Sequence, residues 1–352
     1  MLYFNIAIIL FYSVSIAIVL FIILYLIVIN SRKRVNDDWE ILADEVVSQA
    51  IFTNPEDTVN LATISLITKK NLLNSRFRAI VTNKIITTTK SISGQSHFYL
   101  QKLFLQLNLD LQSLKLLDSY QWHLKAKGIQ EIGVMGLSQY LPQVLPFTNH
   151  TNELVRIEAQ NTVLKLSGFE GLKFLDTITQ TLSEWEQITL LKELAVLPAG
   201  QFFGIDKWLK SPNESVIIFA LKLARNYHKF ELYNDIVACL NHNSGNVRLN
   251  AIHTLAEVYN QDTALQLLHS YDSEEYTQQL AIVKVLEYIG DENSIETLIQ
   301  YMDTENYEMK FALAHTIATI SKNGLDKLMT LPDTDKYPLK DMLLQIRSEV
   351  NS

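Results

Sequence analysis

A single cysteine, Cys239, stands in 352 residues. One thiol cannot close a disulfide within the chain or build a cysteine-rich zinc site, and this usage fits a reducing compartment. Glycine and proline are also scarce, at 11 and 7. A sheet of many short strands needs more turn residues than that, so helices joined by short turns are expected. The eight histidines include no H-E-x-x-H and no H-x-H pair. G-x-S-x-G, the Walker loop and G-x-G-x-x-G are missing too, so metal binding, acyl transfer and nucleotide binding lack their usual scaffolds. No cofactor, no metal and no small-molecule substrate is therefore expected, and the chain is expected not to be an enzyme. A net charge of −8 argues against nucleic acid, whose phosphates are met by Lys and Arg.

Charge is absent altogether from the first thirty residues. Ile6 to Ile29 is a run of 24 residues, of which 18 are Ile, Leu, Val or Phe. As a helix it would extend about 36 Å, enough to cross a hydrocarbon core of about 30 Å with some tilt. At about −0.3 to −0.6 kcal/mol per aliphatic or Phe residue, insertion is favoured by about 5 to 11 kcal/mol. A buried core helix is rarely this long and apolar on every side. A cleaved signal peptide would carry basic residues before the run, whereas here Arg32, Lys33 and Arg34 follow it. The positive-inside rule then puts the short N-terminus outside and the rest in the cytoplasm, a single pass through the inner membrane. A periplasmic domain is the alternative topology.

Beyond the apolar run the chain repeats itself. A small residue recurs at Ala126, Ala159, Ala220, Ala251, Ala281 and Ala312, with Leu190 in the remaining slot, at steps of 33, 31, 30, 31, 30 and 31. Each unit opens with apolar residues at helical spacing, as at Val247, Ala251, Leu255 and Val258. A polar break and a shorter second helix follow, then capping residues for the next unit: Ser211-Pro212-Asn213, Asp272-Ser273 and Asp303-Thr304. A hairpin this small cannot bury its whole apolar stripe, so the units are expected to stack.

Val155-Arg156-Ile157-Glu158-Ala159 and Val247-Arg248-Leu249-Asn250-Ala251, followed by Val163-Leu164 and Leu255-Ala256, resemble the HEAT family in its short bacterial form. The resemblance covers about Tyr120 to Lys336. It implies an all-α, right-handed α-solenoid of about seven HEAT-like helical hairpins, with second helices lining a concave face that holds partners. The period is shorter than the 40 to 47 residues usual for the family. Leu190 replaces the small residue, Val216-Ile217-Ile218 stands where the Arg should fall, and Met309-Lys310 replaces Val-Arg with a one-residue shift. More loosely, the layout resembles membrane-anchored bacterial HEAT proteins that accompany membrane glycosyltransferases. The expected organisation is a transmembrane helix over 1–30, a helical membrane-proximal linker and cap over 31–119, and the repeat array over 120–352.

Between span and repeats, Trp39, Leu42, Ala43, Val46, Val47 and Ala50 share one face of a helix over Asn36–Ile51. Asn54-Pro55-Glu56 reads as the start of another helix, and Asn74 to Leu107 as an atypical capping hairpin. No Asp or Glu occurs from Thr58 to Leu109, while Lys69, Lys70, Arg76, Arg78, Lys84, Lys90 and Lys102 do. From Asp110 onward 20 basic side chains face 31 acidic ones. The plain account of the basic stretch is ordinary solvated helix faces. The functional account rests it, with Arg32, Lys33 and Arg34, on the anionic inner leaflet.

Other candidates weigh toward structure. His253 and His315 occupy equivalent repeat positions, which speaks for surface or packing rather than two active sites. Asp333-Thr334-Asp335 reads as a capped turn, not a metal-holding D-x-D. Cys239 lies among Ile236, Val237 and Leu240 and reads as core. Arg156 and Arg248 suit a polar ladder between units or an acidic partner. Ten acidic residues between Asp272 and Glu308 are expected mainly to keep the array soluble. The expected function is a membrane-tethered protein-binding scaffold or regulatory subunit of a polysaccharide synthesis or export system, bound to a membrane-associated protein partner and the lipid bilayer. Groove positions assigned to that partner are Lys173, Asp176, Lys207, Asp235, Gln266, Glu296 and Gln300. The alternative is an enzyme on a helical-repeat frame, of lyase or glycosylase type.

Overall fold

The structure, a computed structural model, describes residues 2–52, 66–196, 203–303, 306–321, 323–332, 334 and 339–350. The described residues are helical with turns and contain no strand, and they fall into two compact units, Met1–Leu166 and Ser167–Ser352. Asn54-Pro55-Glu56 lies outside the described residues, and of Asp333-Thr334-Asp335 only Thr334 lies within them.

In the first unit α1 runs unbroken from Leu2 to Phe52. The expected span and the expected amphipathic helix are thus one rod. Nothing between Ile29 and Trp39 stops a helix, because no Gly or Pro intervenes and the weaker formers there, such as Asn30, Ser31 and Asn36, each cost only on the order of a few tenths of a kcal/mol. One helix is long and apolar enough to cross a membrane, and its most apolar stretch has no buried residue. The hydroxyl of Ser15 donates to the carbonyl of Phe11 at 2.8 Å, so this polar group is satisfied within the helix. Further along, Ala43, Val46, Val47 and Ala50 are buried.

They pack on α3 (Ser75–Ser91) and α4 (Gln95–Gln106), which follow α2 (Leu66–Asn71). Asn74 caps α3, its side-chain oxygen accepting from the Arg76 amide at 2.9 Å. The shared core adds Phe77, Val81, Ile85, Leu100, Leu103 and Phe104. Each such side chain contributes roughly 1.5 to 3 kcal/mol when removed from water. The unit continues with α5 (Asp110–Leu117), α6 (Trp122–Val134), the single turn α7 (Leu141–Val144) and α8 (Glu153–Ser167). Two glycines let these helices close up. A Cβ on Gly128 would sit 2.6 Å from the Ser113 carbonyl, and one on Gly133 would sit 2.5 Å from Thr162 Oγ1.

The second unit opens on a 3₁₀ stretch, Gly168–Asp176, where an α-helix is expected. The pairs α9 (Glu184–Leu194) and α10 (Ile205–Trp208), α11 (Glu214–Asn226) and α12 (Tyr233–Ala238), α13 (Gly245–Leu255) and α14 (Thr263–Tyr271) follow. Then come α15 (Tyr276–Ile289) and α16 (Ser294–Tyr301), α17 (Tyr307–Ile320) and α18 (Gly324–Met329), and a last helix α19 (Leu339–Val350). First helices pack side by side, α11 on α13, α13 on α15 and α15 on α17. Leu190, Ala220 and Ala251 are fully buried, as the repeat predicts, whereas Ala126 and Ala312 are only half-buried. Leu313 and Ala314 take the buried place in the last pair, the one-residue shift again.

A threonine ties each of three first helices to an earlier one. Thr162 donates to the Ile129 carbonyl, Thr254 to that of Leu221 and Thr316 to that of Val283, each across 33 residues and at 3.2 Å. Asn213 caps α11 as predicted, accepting from the Ser215 amide at 3.1 Å. Asp272-Ser273 does not cap α15, whose N-cap position is Glu275, without a side-chain bond. At α17 the cap is Asn306, accepting from the Met309 amide at 3.1 Å. Replacing Gly128 by Ala puts a methyl against a backbone carbonyl that cannot turn away. Unfolding by denaturant should therefore register a loss of about 1 to 3 kcal/mol, although Ala is intrinsically about 1 kcal/mol better in a helix.

Candidate functional site

The positions assigned to the groove sort into two groups. Lys173 and Asp176 lie in the 3₁₀ stretch, Lys207 in α10 and Asp235 in α12. The Lys207 amine meets Asp176 Oδ2 at 2.6 Å, and Trp208 Nε1 donates to Asp176 Oδ1 at 2.8 Å. Trp208 is itself buried and lies against Phe169, with ring centroids 6.0 Å apart. One unit on, Lys210 reaches Asp235 at 2.8 Å, while Lys173 turns back to Glu170 within its own stretch. The structure thus makes a short ladder of two ion pairs, Asp176 with Lys207 and Asp235 with Lys210, the last a partner that sequence reasoning missed. Gln266, Glu296 and Gln300 lie exposed on α14 and α16 and do not join that ladder.

Burial works against the charge on Asp176, but the hydrogen bonds from Lys207 and Trp208 outweigh it and hold its carboxyl below the usual range. The hydrogen bond and charge of Asp235 raise the Lys210 amine. Between α14 and α16 the link is aromatic. Tyr271 and Tyr301 stack with centroids 4.0 Å apart, and burial first, then Tyr301, pushes the Tyr271 hydroxyl up to about 12. Cys239 is core: burial pushes its thiol up to about 11, so it holds little reactive thiolate.

Arg156 and Arg248 each hold the turn before their own helix. Arg156 Nη1 donates to the His150 carbonyl, and Arg248 Nη1 to the His242 carbonyl, both at 2.9 Å and six residues back. In each turn the histidine Nδ1 accepts an amide two residues on, from Asn152 and from Ser244, both at 3.0 Å. Asn149-His150 and Asn241-His242 are the sequence signal for this turn. Arg248 also forks onto Glu274, with Nε 2.8 and 2.9 Å from its two oxygens. This corrects the view of the acidic stretch as mere solubility. Glu274 is buried, Glu308 accepts from the Tyr276 hydroxyl at 2.6 Å and Glu292 from the Ser321 hydroxyl at 3.0 Å. Equivalent positions differ in use: His253 is exposed, while His315 lies 3.4 Å from Glu287 and 3.6 Å from Glu349.

The basic residues of the first unit also divide. Lys84 pairs with Asp44, Lys90 donates to Gln130 at 3.1 Å, and Arg78 Nη2 donates to the Asn108 carbonyl at 2.7 Å. Arg32, Lys33, Arg34, Lys70 and Arg76 are exposed, and Lys69 is half-buried. Among the described residues no three His, Cys, Asp or Glu side chains gather as a metal site would require.

No family model matches the chain, and no curated protein does. Among solved structures it is similar to human deoxyhypusine hydroxylase in complex with glycerol, at 13% identity over 81% of this chain and 98% of that one, with a TM-score of 0.30. An engineered protein matches at 14% identity over 89% and 95%, with a TM-score of 0.38. The tumor overexpressed gene domain arrays of microtubule polymerases match at 14% over 80% and 74%, with a TM-score of 0.26. The hydroxylase and the domain arrays are HEAT-type helical-repeat proteins. The expectation that the chain is no enzyme is corrected here. The hydroxylase is an enzyme on a helical-repeat frame.

Two substitutions test these polar links. Glu274→Ala strands the Arg248 guanidinium, and denaturant unfolding should lose about 3 to 5 kcal/mol. Because the folded-state pKa of Asp176 is lowered, its contribution is present above the ordinary carboxylate value of 3.8 and is lost as pH falls through the lowered one. Asp176→Asn should therefore flatten the acid limb of a stability-versus-pH curve relative to wild type; parallel limbs would remove the ladder from the account.

Proposed function

We propose that the protein is a membrane-tethered docking module. It carries a right-handed α-solenoid of about seven HEAT-like hairpins on a single-pass anchor and holds a membrane-associated protein partner. The observation that carries this is the continuity of α1, whose large apolar side chains from Phe11 to Ile29 are exposed while its inner half is part of a folded core. An anchor of this kind fixes a unit to a surface instead of letting it trail on a linker. Arg32, Lys33 and Arg34 directly after the apolar stretch favour a cytoplasmic module on the inner membrane. The partner is a component of a polysaccharide synthesis or export system, and Gln266, Glu296 and Gln300 offer it an exposed second-helix row.

Capture from detergent-solubilised membranes, with the full chain as bait, should retain one stoichiometric membrane protein. Glu296→Lys should reduce that capture about tenfold while stability stays within about 0.5 kcal/mol. Persistent absence of a stoichiometric partner ends the docking account. A partner that leaves chemically altered would decide for the alternative, an enzyme on a helical-repeat frame.

A further inference from the structure

Two contacts between α1 and α3 fix their relative direction. Trp39 meets Phe77 with ring centroids 5.7 Å apart, and Asp44 pairs with Lys84. Positions rise together along both helices, so α3 runs parallel to α1 and its N-terminal end points back toward the apolar stretch. Trp39 lies about 14 Å beyond Asn30 at 1.5 Å per residue, and Ser75 lies about 3 Å nearer to Asn30 than Phe77 does. The turn at Leu73 comes nearer still. Headgroups occupy about 5 to 7 Å on each side of the hydrocarbon, which brings this end of the unit against them.

A cavity of about 600 Å³ opens at that end, between the start of α3 and α5. Arg78, Lys115, Ser75 and Gln112 line it, and among the described residues no carboxylate does. The bond from Arg78 Nη2 to the Asn108 carbonyl holds the guanidinium in place, yet Arg78 Nε is buried without an acceptor and Gln112 Oε1 without a donor. Its rim is apolar: Leu73 is 88% exposed and Leu111 50%.

We propose that this cavity takes the phosphate of an anionic lipid headgroup from the bilayer that α1 crosses, an inference that rests on the anchor reading above. A guanidinium with a free Nε, an ammonium and a hydroxyl match the oxygens of a phosphate. Gln112 Oε1 is left for a headgroup hydroxyl such as that of phosphatidylglycerol. The exposed leucines suit a lipid source rather than a free ion, because they have bilayer to meet. Arg76, Lys69 and Lys70 raise the local concentration of anionic lipid around the opening. The deeper cations Lys84 and Lys90 are already held by Asp44 and Gln130 and take no part.

The test uses the full chain in nanodiscs of phosphatidylcholine, alone or with a third of phosphatidylglycerol. Amide exchange over 73–78 and 108–115 should be about tenfold slower in the anionic discs. Lys115→Glu, at an exposed position, should abolish the difference without changing exchange elsewhere in the unit. Equal exchange in both discs, the same protection from inorganic phosphate added to phosphatidylcholine discs, or an anionic effect that survives Lys115→Glu would each overturn the headgroup site. A chain that fails to enter discs at all would sink the anchor itself and the headgroup site with it; one that enters but shows no lipid dependence sinks only the site.

Discussion

A helix about eleven to fourteen residues long with apolar groups on more than one side cannot satisfy them alone in water. That constraint shapes the second unit, where α13 offers Val247, Ala251 and Leu255, all fully buried, to neighbours on either side. Small residues matter because they set how near the next helix can come. Ala220 and Ala251 allow α11 and α13 to touch, and Gly128 does the same for α5 and α6, down to a distance no other residue permits. Apolar burial supplies the free energy of stacking, but it is indifferent to sliding by a turn.

Register comes from directional groups. Thr254 and Thr316 each bind a carbonyl on an earlier first helix, and a shift of one residue would break both bonds. Arg248 adds a second lock, since its guanidinium holds the turn before its own helix and the buried Glu274 before the next. A buried pair of this kind gives modest net stability and a large penalty for any arrangement that separates it. The ladder of Asp176, Lys207, Lys210 and Asp235 repeats the logic at the surface, where water weakens it.

What the sequence discloses follows from which interactions are periodic. Apolar spacing announces helices, so the all-α class and the capping role of Asn213 are legible. The Thr of the clamps stands only at 162, 254 and 316, too sparse to be found without knowing which helices touch. The Ser183–Glu186 capping box was open to inspection as S-x-x-E. By contrast, Lys210 and Asp235 are 25 residues apart, off the repeat period, and no spacing rule joins them.

The join between rod and fold was the least visible feature, because the passage from exposed to buried side chains along a helix leaves no mark on its backbone. The sequence shows an apolar run, a basic triplet and an amphipathic stripe, and each suggests a boundary. Helix propensity recognises none of them, since Arg, Lys and Val continue a helix as readily as Ile does for this purpose. The consequence is mechanical. Each residue between Asn30 and Trp39 turns the core-facing stripe by about 100° and moves it by about 1.5 Å relative to the apolar stretch. The depth and facing of α3 are therefore set by a count of residues, as a flexible linker could not do. The acid-free stretch of the chain, with Arg76, Arg78 and the exposed Leu73, is found at the end of α3 that points back along α1 toward the apolar stretch.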